Sequence, residues 1–339
     1  MIPHALALVF ASVGLACASV QAAVLVDARQ AAPTAAALQQ AIDGLDASRS
    51  YIATVKAVGV FTLESTLRLP DRTRLDLSEA VLIRSAELAG SVIENTHPDI
   101  GNTQIEIIGG RIDGNKGTGV KGKHGIALLW TSHAKVHGVT VVNCHEDGVR
   151  LNGLGKRVQY AFFDQLHLEN NGQSGLNIMW ASRQVLVSNI VAVGNGVFGV
   201  RSDHSEGSYV NIAADRNQGD GIFIRNIFGG SYTNLTATRN GKTGILVQGM
   251  VQSLGANWAA RNNGTAAPAS DIFFSSDASL SYGLTSNTVL TGVAAGNFKL
   301  YGPATSRQPV EFEGGREGFV GLQLHGVQTG EIPARPAAP

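Results

Sequence analysis

The sequence predicts an all-β chain wound as a right-handed, single-stranded parallel β-helix. Three observations carry this. Glycines followed by an aliphatic residue recur at Gly125, Gly148, Gly175, Gly199, Gly221 and Gly244, with spacings of 23, 27, 24, 22 and 23. After each glycine, inward and outward residue types alternate with period two, as in a strand. Asparagines recur in nearly the same phase, at Asn143, Asn170, Asn195, Asn217 and Asn240. A period in the twenties marks stacked coils, each unable to bury its core alone. Leucine-rich repeats share the period, but their leucine skeleton is missing here.

Composition fits one large all-β domain, although the length alone would also allow two ordinary domains. Hydrophobic residues make up 44% of the 339 and charged residues only 15%, so a sizeable core sits under a lightly charged surface. The 41 glycines favour turns over helices. Lys+Arg and Asp+Glu balance at 26 each, so no net charge draws the chain to nucleic acid or to an anionic membrane.

Three segments are expected. Residues 1–22 read as a signal peptide, an apolar run ending in the small-residue site Val20-Gln21-Ala22. It is short for a membrane span, and no transmembrane segment is expected in the mature chain. Gly14-Leu15-Ala16-Cys17 also resembles a lipoprotein signal, but Gly14 is a poor residue three places before the cysteine, and a soluble periplasmic or extracellular protein is expected. Residues 23–325 form the solenoid, and the Pro/Ala-rich residues 326–339 read as a disordered tail. After cleavage Cys144 is the one remaining cysteine, so no intrachain disulfide is expected.

Within each glycine-marked strand, positions one and three after the glycine point inward: Ile126/Leu128, Val149/Leu151, Leu176/Ile178, Val200/Ser202, Ile222/Ile224 and Ile245/Val247. Ser202 alone breaks the apolar rule, a departure that hints at function. The asparagines precede the glycines by four or five residues and are expected at one corner, their amides bonded along the axis. Asp271, before Ile272-Phe273-Phe274, continues the glycine series.

These coils resemble the pectate-lyase-like superfamily, over about residues 30 to 300. "AALQQAIDGLD" looks like the short amphipathic helix that caps such solenoids, and "GGRIDGN" (Gly109–Asn115) recurs in pectinolytic and related β-helix proteins. "FGVRSDHSEG" falls where alginate C5-epimerases of this fold carry Tyr-Gly-Leu-Asp-Pro-His-Asp. Phe198, Gly199 and Val200 match its first three positions; His204 stands one residue late, so the motif is not intact. The resemblance implies a polysaccharide lyase or epimerase. In such enzymes a base removes the proton α to a uronate carboxyl, and a cation stabilises the charge that develops.

A filled solenoid has no interior pocket, so a ligand must lie on an outer face. Outward positions two and four after the glycines read Arg150/Asn152, Asn177/Met179, Arg201/Asp203 and Phe223/Arg225 on four successive coils. Coils stack about 4.8 Å apart, which puts Arg150 and Arg201 roughly 10 Å apart. Arg201, Asp203 and His204 are the expected catalytic set. Arg150, Asn152, Asn177, Trp180, Phe223 and Arg225 are the expected substrate contacts, arginines for carboxylates and aromatics for sugar faces. A second cluster, Lys121, Lys123, His124, His145, Glu146 and Asp147, reads as surface turn residues, with a metal or proton relay at His124/Asp147 as the alternative.

No cofactor is demanded by these residues and no metal ligand set is assigned; calcium stays open. Zinc spacings, the calcium β-roll repeat and the paired aspartates of polygalacturonases are all missing. The expected partner is an acidic polysaccharide. The sequence gives no oligomeric state. The competing reading is a non-catalytic glycan-binding module, adhesin or periplasmic structural protein, since the β-helix hosts all of these.

Overall fold

The computed structural model describes residues 23–29, 35–153, 158–251, 253–264 and 270–275, with short strand backbones at 289–291, 294–295, 298–301, 311–313 and 323–325. The expected leader and tail lie outside the described residues. The chain is a right-handed parallel β-solenoid of about nine turns. One helix among the described residues, Ala35–Asp43, closes its first end. Ala35, Leu38 and Ile42 fall on one stripe of that helix and are buried, against the strands Val24–Asp27, Ala53–Leu63 and Leu67–Leu69. No helix among the described residues is long and apolar enough to cross a membrane.

The expected register is the observed one. Ile126 pairs with Val149, Val149 with Leu176, Leu176 with Val200, Val200 with Ile222, Ile222 with Ile245 and Ile245 with Ile272, every pair parallel. All are at most 2% exposed, so they form one column of the core.

The asparagine ladder is real, but two of its expected rungs are wrong by one residue. The rungs are Asn171, Asn195, Asn217 and Asn240, all buried, and the half-buried Asn263. Each backbone N–H and side-chain Nδ2 donates to the Oδ1 of the next rung, at 2.8–3.0 Å. The series starts at Cys144, whose N–H donates to Asn171 Oδ1, and ends at Asp271, whose Oδ1 accepts from Asn263. Asn143 and Asn170 sit one place earlier, in the left-handed region (both φ 54), where they form a separate exposed contact of 2.7 Å. The offset from rung to glycine is a constant four residues, from Cys144/Gly148 to Asn240/Gly244. An Asn-Asn doublet at 170–171 offers both slots, and the turn asparagine is the one that catches the eye.

Ladder and glycines interlock. A Cβ on Gly221 would meet Asn240 Nδ2 at 2.5 Å and Gly244 O at 2.6 Å; on Gly199, Asn217 Nδ2 at 2.8 Å. The glycine is required because the amide of the next coil fills the space a side chain would take.

Ser202, the polar residue in the apolar column, has a structural explanation. Its hydroxyl lies 2.8 Å from Ser205 Oγ and 3.0 Å from Tyr232 Oη, and Ser205 Oγ lies 2.8 Å from Tyr209 Oη. Tyr209 and Tyr232 stack at 4.8 Å, and all four residues are buried. The hydroxyls satisfy one another inside the solenoid, so the expected hint of function at Ser202 is replaced by internal hydrogen bonding.

Candidate functional site

The corner after the glycine-marked strands builds the site. In an extended strand Asp203 and His204 would face opposite ways. His204 instead takes a left-handed backbone (φ 54), as does Trp180 (φ 59) on the preceding coil and Asn226 (φ 53) on the following one. The pairing of strands Leu176–Val193 and Phe198–Asp215 shifts register just there, after Met179/Asp203 and again after Ser182/Ser205. The bend brings neighbouring side chains onto one side.

Three of the expected residues, Arg201, His204 and Arg225, meet around a fourth, Asp203, whose side chain is 1% exposed. Asp203 Oδ2 accepts from Arg201 Nη2 at 2.5 Å, with Arg225 Nη1 at 3.8 Å, and Oδ1 lies 2.6 Å from His204 Nδ1. The His204 ring stacks on Trp180, with centroids 4.5 Å apart and planes 18° apart. Its Nε2 is bonded by the Asn226 side-chain amide. Asn226 was missed by sequence reasoning. Its legible signal is an asparagine in the corner slot next to His204, since asparagine tolerates positive φ.

Phe223 is buried. It stacks on Phe198 at 4.9 Å and 9°, and the Arg201 guanidinium lies 5.7 Å from each ring. Its place is under the arginine, which it holds by cation–π attraction, rather than out on an open sugar platform. Asn152 stands in the outward row, paired with Met179 of the next coil.

Arg150 and Asn177 occupy the outward row in register with Arg201, but their side chains join the second cluster. Asn177 Nδ2 donates to Asp147 Oδ2 at 2.9 Å, and Arg150 Nη1 lies 3.4 Å from His124 Nε2 and 3.8 Å from Asp147 Oδ2. Of the expected surface turn residues here, Lys121 and Lys123 are exposed, but His124 and Asp147 are interior, 7% and 0% exposed. The Asp147 N–H donates to His124 Nδ1 at 3.1 Å, which leaves the ring proton on Nε2, 3.2 Å from Glu146 Oε2. Burial, and then the charge of Arg150, holds His124 down to about 4. Burial pushes the Asp147 carboxyl up, against its bonds from Asn177 and Ser174. Cys144 is free, buried at the head of the ladder, and its thiol is pushed up by the same cause. Among the described residues no three His, Cys, Asp or Glu side chains are grouped to hold a metal ion.

The arrangement presents a carboxylate–imidazole pair flanked by two guanidiniums and backed by an indole that is 36% exposed. It can accept a proton at His204 while binding an anion at Arg201 and Arg225.

Comparison with known proteins defines the class by fold. No protein-family model and no curated protein sequence matches the chain. Among solved structures, it is similar to the A-module of the mannuronan C-5 epimerase AlgE4 of Azotobacter vinelandii, with TM-score 0.61 and 16% identity over 86% of this chain and 91% of that one. The AlgE6 A-module of the same organism gives 0.52 and 19%, over 86% and 90%. The enzymatically active domain of bacteriophage CBA120 tailspike protein 2 gives 0.54 and 13%, over 85% of this chain and 43% of that one. At these identities the shared property is the right-handed parallel β-helix.

Proposed function

We propose that the chain is an exported enzyme acting on an acidic polysaccharide by removing the proton α to a uronate carboxylate. The observation that carries this is the contact set of Arg201, Asp203, His204 and Arg225 on adjacent coils of an outer face. The uronate carboxylate would be held by Arg201 and Arg225. His204, its Nδ1–H directed at Asp203, takes the α proton at Nε2. The electron pair passes into the carboxylate as an enediolate, which the guanidiniums stabilise. Asp203 offsets the imidazolium. Elimination then breaks the glycosidic C–O bond at the β carbon and forms a C=C bond, the departing oxygen taking a proton from water. Epimerisation instead returns a proton to the opposite face of the same carbon. The mannuronan C-5 epimerases that share the fold support the substrate class.

A non-catalytic glycan-binding role is the second reading. It is favoured by one observation: both His204 nitrogens are already bonded, to Asp203 and Asn226.

The test is incubation of the mature protein with alginate, pectate, hyaluronan and chondroitin in D2O. A lyase generates ultraviolet-absorbing unsaturated ends; an epimerase incorporates deuterium at the uronate C5 without chain cleavage. Binding to one of these polymers with neither signal supports the second reading and overturns the first.

A further inference from the structure

His204 carries two hydrogen bonds of different character. Asp203, ionised, can only accept, so Nδ1 bears a proton. The partner at Nε2 is the amide of Asn226, a donor through Nδ2, which requires a lone pair on Nε2. Asn226 is 5% exposed and stands in the left-handed corner column between His204 and Gly249 (φ 83). The register of Arg225 with Gln248 places Asn226 and Gly249 in the same slot on adjacent coils. That slot therefore accepts either residue, and the asparagine side chain is not needed to make the turn.

We propose that Asn226 is a positioning residue that, with Asp203, keeps His204 as the neutral Nδ1–H tautomer with its lone pair on Nε2. The inference rests on the proposed function only for what the lone pair is used for. Asn226 acts before the chemical step. It sets which nitrogen is unprotonated when substrate arrives, and its bond is exchanged for the substrate's C–H during turnover. Because Nε2 must accept the proton, the wrong partner at this position is worse than no partner. Asn226→Gly removes the amide and keeps a residue suited to positive φ. Asn226→Asp keeps shape and turn but offers only acceptors, so Nε2 must take up a proton and the base is consumed.

The experiment is long-range 1H–15N NMR of the free protein labelled in histidine, with the His204 signals identified by their loss in His204→Gln. The wild type should show the Nδ1–H tautomer, Asn226→Gly a mixture in which part of the rings also carry a proton on Nε2, and Asn226→Asp the doubly protonated ring; an Asn226→Gly ring identical to the wild type's overturns the proposal. On the polyuronate that is turned over, Asn226→Gly should keep kcat within about tenfold, while Asn226→Asp lowers it by about a hundredfold or more, the scale of a lost general base. A purely structural asparagine gives the reverse order, since the near-isosteric change is the milder one. A wild-type ring with Nε2 protonated, or an Asn226→Asp ring like the wild type's, overturns the proposal. If the ring states are as expected and no polyuronate reacts, the positioning role stands and the proposed function fails.

Discussion

His204 Nδ1 lies 2.6 Å from Asp203 Oδ1, although the two residues are neighbours in one strand. The left-handed backbone at His204 is what allows it. The pair has the geometry for proton abstraction, so His204→Gln should lower turnover of a polyuronate by about 100-fold to 10,000-fold, with binding measured by calorimetry nearly unchanged. Equal loss of binding and turnover would assign His204 to binding instead.

Arg201 is predicted to anchor the substrate anion. Arg201→Ala should strongly weaken polyuronate binding, and Arg201→Lys should restore it only in part, because an ammonium lacks the planar fork and its seat against Phe198 and Phe223. Lys121→Ala and Lys123→Ala should matter less. Wild-type affinity in Arg201→Ala moves the groove elsewhere.

Two glycines should respond in opposite ways. Gly221→Ala drives a Cβ into Asn240 and the Gly244 carbonyl, so its cost belongs at the upper end of the about 1–3 kcal/mol typical of overpacking. Gly194 has φ 65 and open space beyond it, in a corner slot that Asn143 and Asn170 fill on other coils. Gly194→Asn should change stability by less than about 0.5 kcal/mol. Urea unfolding of both variants checks this, and equal effects would refute the interlock.

The core column is predicted to be tightly packed. Ile222→Ala should cost about 2–5 kcal/mol through lost burial and the cavity left behind. A loss below about 1 kcal/mol in the same unfolding assay would contradict the placement.

Stability should vary with pH through His124. Its imidazole is held down to about 4 from the ordinary 6.5. Between those values the unfolded chain takes up a proton that the folded chain refuses. The stability present above about pH 6.5 is therefore lost as pH falls toward 4. Asp147, raised by burial, works in the opposite sense just above 3.8, where acid favours its folded form. The Tm of the wild type should drop between pH 7 and pH 4, and that of His124→Gln should drop less. Parallel curves would remove His124 as the cause.

Much of this fold was legible because strand alternation and coil period are properties of single residues. Val149, Leu176 and Ile222 announce their column by type and phase. The ladder was legible only to within one residue, because asparagine suits both a left-handed turn and an amide rung, and Asn170-Asn171 supplies both. Ser202 was misleading for a different reason: its partners are Ser205, beyond the corner of its own strand, and Tyr232, on the next coil. The site was legible where it depends on strand phase, as for Arg201 and Asp203. It was illegible where it depends on a corner, as for Asn226, or on side-chain direction, as for Arg150, which leans toward His124.

The ladder's two ends give it a direction. Every asparagine rung both receives and passes on a bond, so each turn, once laid down, leaves an amide N–H that only the next turn can answer. Cys144 has no side-chain amide to offer and opens the series; Asp271 accepts and has no amide to pass on. The growth of this stack thus has a written start and a stop codon of sorts, in chemistry instead of nucleotides. A chain cut between Asn217 and Asn240 would end on an unanswered demand, and one ending just beyond Asp271 would not.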